Sequence, residues 1–135
     1  MYLIDTNIWL ERLLDQDKSK DVGNLLGRVP SEQLFITDFT FHSICLILCK
    51  LQKRDALKQF VRDAFVDGSV SLIHLAPRHI DGVISVMRKY SLDFDDAYQY
   101  SAAEQYGLTI ISFDSDFDRT DNGRKTPEQA IKIKK

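Results

Sequence analysis

The chain has 135 residues, enough for one domain with a proper core and too few for two comfortable ones. Hydrophobic residues make up 44% and charged residues 28%, the balance of an ordinary soluble globular domain and not of a disordered or fibrous chain. A net charge of −2 provides no global positive field for polyanions, which counts against a simple electrostatic nucleic-acid binder but not against an enzyme whose bound cation supplies positive charge locally.

Tyr2-Leu3-Ile4 predicts a short buried strand, and Thr6 to Leu14, with Ile8, Trp9, Leu13 and Leu14 apolar, predicts a helix. Lys20 to Arg28 predicts a second helix, ended by Pro30. Leu34 to Thr37 reads as the second strand, and Phe39 to Leu51 as a helix with Asp38 or Thr37 as its N-cap. Asp55 to Val66 repeats Leu57, Phe60, Val61, Ala64 and Phe65 at helical spacing until Asp67-Gly68 breaks it. Val70 to Leu75 is the third strand, followed by a helix from Pro77 to Tyr90 with the proline in its first turn. Phe94 to Tyr106 is a further helix, closed by Gly107, and Leu108 to Ser112 is the fourth strand. In the tail, Asp121-Asn122-Gly123 predicts a turn, and Ile131-Lys132-Ile133 allows a short edge strand. Strands separated by helices predict an α/β fold in one domain over residues 1–135, with a central parallel β-sheet of four to five short strands and helices on both faces.

Cys45 and Cys49 are the only cysteines, four apart in a helical stretch and poorly placed for a disulfide. No second pair of Cys or His completes a zinc site, so buried thiols of a reducing, cytoplasmic environment are expected. The N-terminus begins with a strand and lacks the regions of a signal peptide, and the apolar tract Ile44 to Leu48 is far too short to span a bilayer.

Four acids stand where an open parallel sheet binds ligands. Asp5 follows the first strand, Asp114 and Asp116 follow the fourth, and Asp96 opens a helix in Asp93-Phe94-Asp95-Asp96-Ala97. The carboxyl ends of the strands bring such positions to one edge. Carboxylates gathered there repel one another, and a divalent cation is the usual remedy; oxygen-only ligands suit Mg²⁺ or Mn²⁺. Each acid also has a plain structural reading: Asp5 as a helix cap, Asp93, Asp95 and Asp96 as acids opposing a helix dipole, and Asp114 and Asp116 as turn formers, which suits Asp116 and Asp118 better than Asp114. The functional reading rests on the set.

That set resembles the PIN-domain family: Leu3-Ile4-Asp5-Thr6-Asn7 at the start, Asp95-Asp96-Ala97 late, and Ile110-Ile111-Ser112-Phe113-Asp114-Ser115-Asp116-Phe117 near the end. The resemblance covers nearly the whole chain. It implies a small metal-dependent ribonuclease of the kind that includes VapC-type toxins. It also implies Mg²⁺ or Mn²⁺ held by Asp5, Asp96 and Asp114, with Asp116 as an auxiliary acid. Thr6 and Asn7 match the polar residues after the first acid, and Ser112 the hydroxyl before the later acid pair. Implied partners are an RNA substrate, an antitoxin protein and a second copy of the chain.

One position departs from the family's pattern. The helix after the second strand usually carries a Glu, and Ser43 stands there, with His42 beside it. Asp38 is a candidate to supply the missing acid and His42 a candidate ligand or proton carrier, although His42 is more readily read as structural. The alternative function is therefore a PIN domain that has lost catalysis and binds RNA or protein.

Lys50, Arg54, Lys58 and Arg62 fall at i, i+4 intervals and form a basic stripe for an RNA backbone if the helix is continuous there. Arg124, Lys125, Lys132, Lys134 and Lys135 make the C-terminal end basic. Trp9, Phe39 and Phe41 read as core or dimer contacts, and the helices Thr6–Leu14 and Phe39–Leu51 as the candidate contact surface for a partner.

Overall fold

The computed structural model describes residues 1–132. The chain runs through β1 (Tyr2–Ile4), α1 (Thr6–Leu13), α2 (Ser19–Arg28), β2 (Leu34–Thr37), α3 (Asp38–Lys50) and α4 (Arg54–Val61). It continues through β3 (Ser71–Ile73), α5 (Ile80–Tyr90), α6 (Phe94–Tyr106), β4 (Thr109–Ile111) and α7 (Pro127–Lys132). The four strands form one parallel sheet in the order β3-β2-β1-β4. Parallel neighbours need a crossover, and helices on both faces supply it.

Successive strand residues point to opposite faces, and the core divides accordingly. Ile4, Ile36 and Ile111 pack with Ile8, Trp9, Leu25, Ile44, Leu48 and Phe60 beneath α1 to α4, where Ala130 of α7 joins them. Leu3, Ile73 and Ile110 pack with Val83, Tyr100, Ala103 and Phe117 beneath α5 and α6. Trp9, Phe60, Phe65 and Phe41 form a chain of edge-to-face contacts, 5.3, 5.9 and 5.5 Å between ring centroids. Trp9 and Phe41 are thus core contacts.

Three helices start on side-chain caps next to a strand end or the acidic edge. Asp5 accepts from Thr6 N at 2.8 Å, Thr37 from Thr40 N at 3.0 Å, and Asp93 from Asp96 N at 3.0 Å. Each cap supplies one orphan N–H of the first turn with an acceptor. α6 stops at Gly107, whose φ of +67° is the left-handed conformation glycine adopts without steric cost.

The structure corrects two expectations. The possible edge strand at Ile131-Lys132-Ile133 is helical at its first two residues, in α7, and Ile133 lies outside the described residues. A reciprocal cap decides this: Thr126 N donates to Gln129 Oε1 at 2.9 Å and Gln129 N to Thr126 Oγ1 at 3.2 Å, with Pro127 opening the helix. The free side of β4 is instead met by Lys125, whose N–H reaches Ile110 O at 2.8 Å and whose carbonyl accepts from Ser112 N at 3.0 Å.

The second correction concerns the basic stripe. The helix is not continuous: α3 ends at Lys50, Gln52 takes a φ of +57°, and α4 begins at Arg54. Lys50 is therefore separated from Arg54 and Lys58 on α4 and from Arg62 in the wide helical turn that follows. Cys45 and Cys49 are free thiols as expected, but neither is buried: Cys45 is partly exposed and Cys49 exposed. No helix of the described residues is long and apolar enough to cross a membrane.

Candidate metal centre

The sheet order reverses direction beside β1: β2 and β3 lie on one side of it and β4 on the other. The crevice at the carboxyl ends of β1 and β4 is therefore the topological switch point, where open α/β sheets bind ligands. Asp5 leaves β1 there and donates its N–H to Ile111 O at 3.0 Å. Its carboxylate is buried, at 7% exposure, and accepts three hydrogen bonds. Oδ1 takes Thr6 N at 2.8 Å and Gln99 Nε2 at 3.1 Å, and Oδ2 takes Ser112 Oγ at 2.7 Å. Burial raises the Asp5 pKa and outweighs these donors, while the nearby Asp114 charge adds to the rise.

Ser112 also organises the loop after β4. Its Oγ accepts from Asp114 N at 2.9 Å and from Asn7 Nδ2 at 3.3 Å, while Asn7 Oδ1 accepts from Phe113 N at 3.2 Å. Asp114 in turn accepts from Asp116 N at 2.8 Å, which fixes the turn Ser115–Arg119. Arg124 locks this loop from outside: it donates to Ser112 O at 3.1 Å and pairs with Asp118 at 3.1 Å. It is a structural clamp, not a free cation of a basic tail.

Carboxylate oxygens of Asp96, Asp114 and Asp116 lie within 4.8 Å of one another. Oxygens sharing one Mg²⁺ at 2.0–2.1 Å stand about 3–4 Å apart, so small side-chain rotations close this group on an ion. Burial, then Asp114, Asp93 and Asp5, push the Asp96 pKa up to about 7. A donor set made only of carboxylates with unrelieved mutual repulsion fits a hard divalent cation. Asp116 is the outer member: its side chain is 50% exposed and stands 3.5 Å from Arg119. Asp5 lies outside the tight group, deeper between β1 and β4.

The candidates on α3 do not enter the acidic group. Asp38 is exposed and its Oδ1 accepts from Phe39 N and Tyr98 Oη, each at 2.8 Å. His42 is exposed and Ser43 half-buried; with Asp38, His42 borders a groove of about 650 Å³ lined also by Phe39, Phe41, Leu72 and Phe94. The residues that α3 and the end of β2 do send toward Asp5 are hydroxyls. Thr40 Oγ1 bonds Thr6 Oγ1 at 2.9 Å, and Thr37 Oγ1 bonds Gln99 Oε1 at 2.6 Å.

Gln99 was not singled out from the sequence. A glutamine three residues after Asp96, among Ala97, Tyr98, Tyr100, Ala102 and Ala103, was the available signal, because a polar residue on a mostly buried helix needs internal partners. The expected contact surface also shifts: Ile8 and Trp9 of α1 are spent on the core, whereas Leu46, Leu72 and Phe94 are exposed.

The fold and site define the class: a small all-parallel α/β domain with carboxylates gathered at the switch point of its sheet. The chain belongs to the PIN domain family, whose model matches residues 2–123. Its fold is that of a toxin–antitoxin complex component from Klebsiella pneumoniae, at 20% identity and TM-score 0.76, covering 94% of this chain and 98% of that one. FitAcB from Neisseria gonorrhoeae is similar at 20% identity and TM-score 0.73, covering 95% and 99%. VapC20 from Mycobacterium tuberculosis, a sarcin-ricin loop cleaving toxin, is similar at 15% identity and TM-score 0.73, covering 87% and 93%. No curated protein matches the chain significantly in sequence.

Proposed function

We propose that the protein is a metal-dependent endoribonuclease and the toxin of a toxin–antitoxin pair. The observation that carries this reading is the convergence of Asp5, Asp96, Asp114 and Asp116 on the switch point, with three of their carboxylates within 4.8 Å. Its support beyond geometry is membership of the PIN family and the likeness to a toxin that cleaves the sarcin-ricin loop. Asp5, Asp96 and Asp114 hold Mg²⁺ or Mn²⁺, and Asp116 stands in its outer shell. A bound divalent cation supplies an acidified water and relief of charge at the phosphoryl oxygens.

The chain's own residues do the positioning. Ser112 and Asn7 set Asp5 and Asp114 relative to each other, and the Thr6 N–H donates to Asp5 Oδ1. Arg54, Lys58 and Arg62 are exposed on one flank and track the RNA backbone. An antitoxin and a second copy of the chain are the protein partners, with the exposed Leu46, Leu72 and Phe94 as the contact surface. The cytoplasm is the compartment that suits such a substrate and two free thiols.

A second reading is favoured by Ser43, which stands on α3 where a carboxylate is expected: a PIN domain that binds RNA or protein without cutting. Incubating a mixed RNA pool with the protein in Mg²⁺ or Mn²⁺ separates the two. Cleavage that vanishes in EDTA and in Asp96→Asn is the expected result. Cleavage that survives Asp96→Asn sinks the site assignment, and a folded, partner-free wild type that cuts nothing moves the weight to the binding module.

A further inference from the structure

We propose that Gln99 is a positioning residue of the metal centre, fixing Asp5 so that only its Oδ2 is open to the cation. The inference rests on the nuclease reading above. Gln99 is 1% exposed and both amide hydrogens are used, on Asp5 Oδ1 at 3.1 Å and Thr40 Oγ1 at 2.9 Å. Its Oε1 accepts from Thr37 Oγ1 at 2.6 Å.

The orientation of the amide follows from hydrogen bookkeeping. With the Gln99 oxygen toward Thr37, the Thr37 hydroxyl accepts from Thr40 N at 3.0 Å and gives its single hydrogen to Gln99 Oε1. That turns the NH₂ toward Asp5. Reversing the amide would set its oxygen against the Asp5 carboxylate.

Asp5 Oδ1 is then saturated, with one lone pair on Thr6 N and the other on Gln99 Nε2. Among the described residues Oδ2 accepts from Ser112 alone, the residue whose hydroxyl also takes the Asp114 N–H. The free lone pair of Asp5 therefore lies on the oxygen tied to the Asp114 loop. Asp96 and Gln99 stand one helical turn apart, so α6 sends one side chain into the acid group and the next into the bracing of Asp5. α3 adds no carboxylate; through Thr40, and through Thr37 at its cap, it anchors the amide instead.

The test uses full-length protein and Gln99→Met, which keeps the volume and removes the donors, beside Gln99→Glu. Gln99→Met is expected to melt cooperatively and to bind Mn²⁺, read by electron paramagnetic resonance, about 10–100-fold more weakly. Its kcat falls, while RNA affinity in EDTA stays at the wild-type value, a split that a merely structural role would not produce. Gln99→Glu is expected to weaken Mn²⁺ as well, because it sets a carboxylate against Asp5. Wild-type Mn²⁺ affinity in Gln99→Met, or tighter binding in Gln99→Glu, overturns the proposal.

A variant-free readout guards against misfolding. In metal-free wild type the Gln99 side-chain amide protons are expected to exchange slowly with solvent; exchange as fast as that of exposed glutamines overturns the proposal. Wild type that neither binds Mn²⁺ nor cuts RNA removes the nuclease reading and this one with it. Wild type that does both, beside an unaffected Gln99→Met, removes this one alone.

Discussion

The Ser112 hydroxyl donates to Asp5 Oδ2 at 2.7 Å across 107 residues of chain. Ser112 Oγ in turn accepts from Asn7 Nδ2 and from Asp114 N. One buried hydroxyl thus joins the end of β1, the first turn of α1 and the loop that carries the later acids. Ser112→Ala leaves a buried Asp5 oxygen without its donor, and stability should fall by about 1–3 kcal/mol. Urea denaturation of the metal-free protein measures this; an unchanged midpoint would show that water replaces the hydroxyl at no cost.

Asp96 governs a pH response with a defined sign. Its pKa is pushed up to about 7 by burial first and then by Asp114, Asp93 and Asp5. The folded protein therefore holds a proton that the unfolded chain releases near 3.8. The stability this supplies is fully present below that value and is lost as pH rises through about 7. Metal-free wild type should lose melting temperature between pH 5 and pH 8 relative to Asp96→Asn, which has no proton to lose. Added Mg²⁺ should raise the wild-type melting temperature more at pH 8 than at pH 5, because ligands must be deprotonated to bind. Parallel profiles for the two proteins would remove Asp96 as the source.

Asp114 and Asp116 differ in depth, and substitution should separate them. Asp114 is half-buried and its N–H is held by Ser112, whereas Asp116 is half-exposed beside Arg119. Asp114→Asn should abolish Mn²⁺ binding. Asp116→Asn should weaken it by about 10–100-fold, the usual cost of losing an outer-shell group. Titration of Mn²⁺ into each variant gives the order, and a larger loss at Asp116 would reverse the assignment of inner and outer ligand.

The parts legible in the sequence were those carried by periodicity and by a short polar residue at an element end. β1, β2, β4 and the long helices announce themselves through apolar spacing, and Asp5, Thr37 and Asp93 each cap the helix their position suggests. The tail was less legible because Ile131 and Ile133 alternate like a strand, while the deciding signal lay upstream in Thr126, Pro127 and Gln129. A left-handed residue at Gln52 interrupts the basic stripe, and no glycine or proline marks it. Gln99 stayed hidden for a different reason. Helical spacing says which residues share a face, not which polar member of that face finds a carboxylate, a threonine and another threonine waiting 2.6–3.1 Å away.

The pairing of β1 with β4 also sets when the centre comes into being. The first strand of the chain lies in register with the last, Tyr2 opposite Thr109 and Ile4 opposite Ile111. Contacts of such long sequence separation form late and slowly, because a large loop must close before they repay its entropy. A ribosome that has made the first hundred residues has produced Asp5 and Asp96 but neither Ser112 nor Asp114. During synthesis the acids exist without a centre, and whatever the centre does begins only when β4 slots in beside β1.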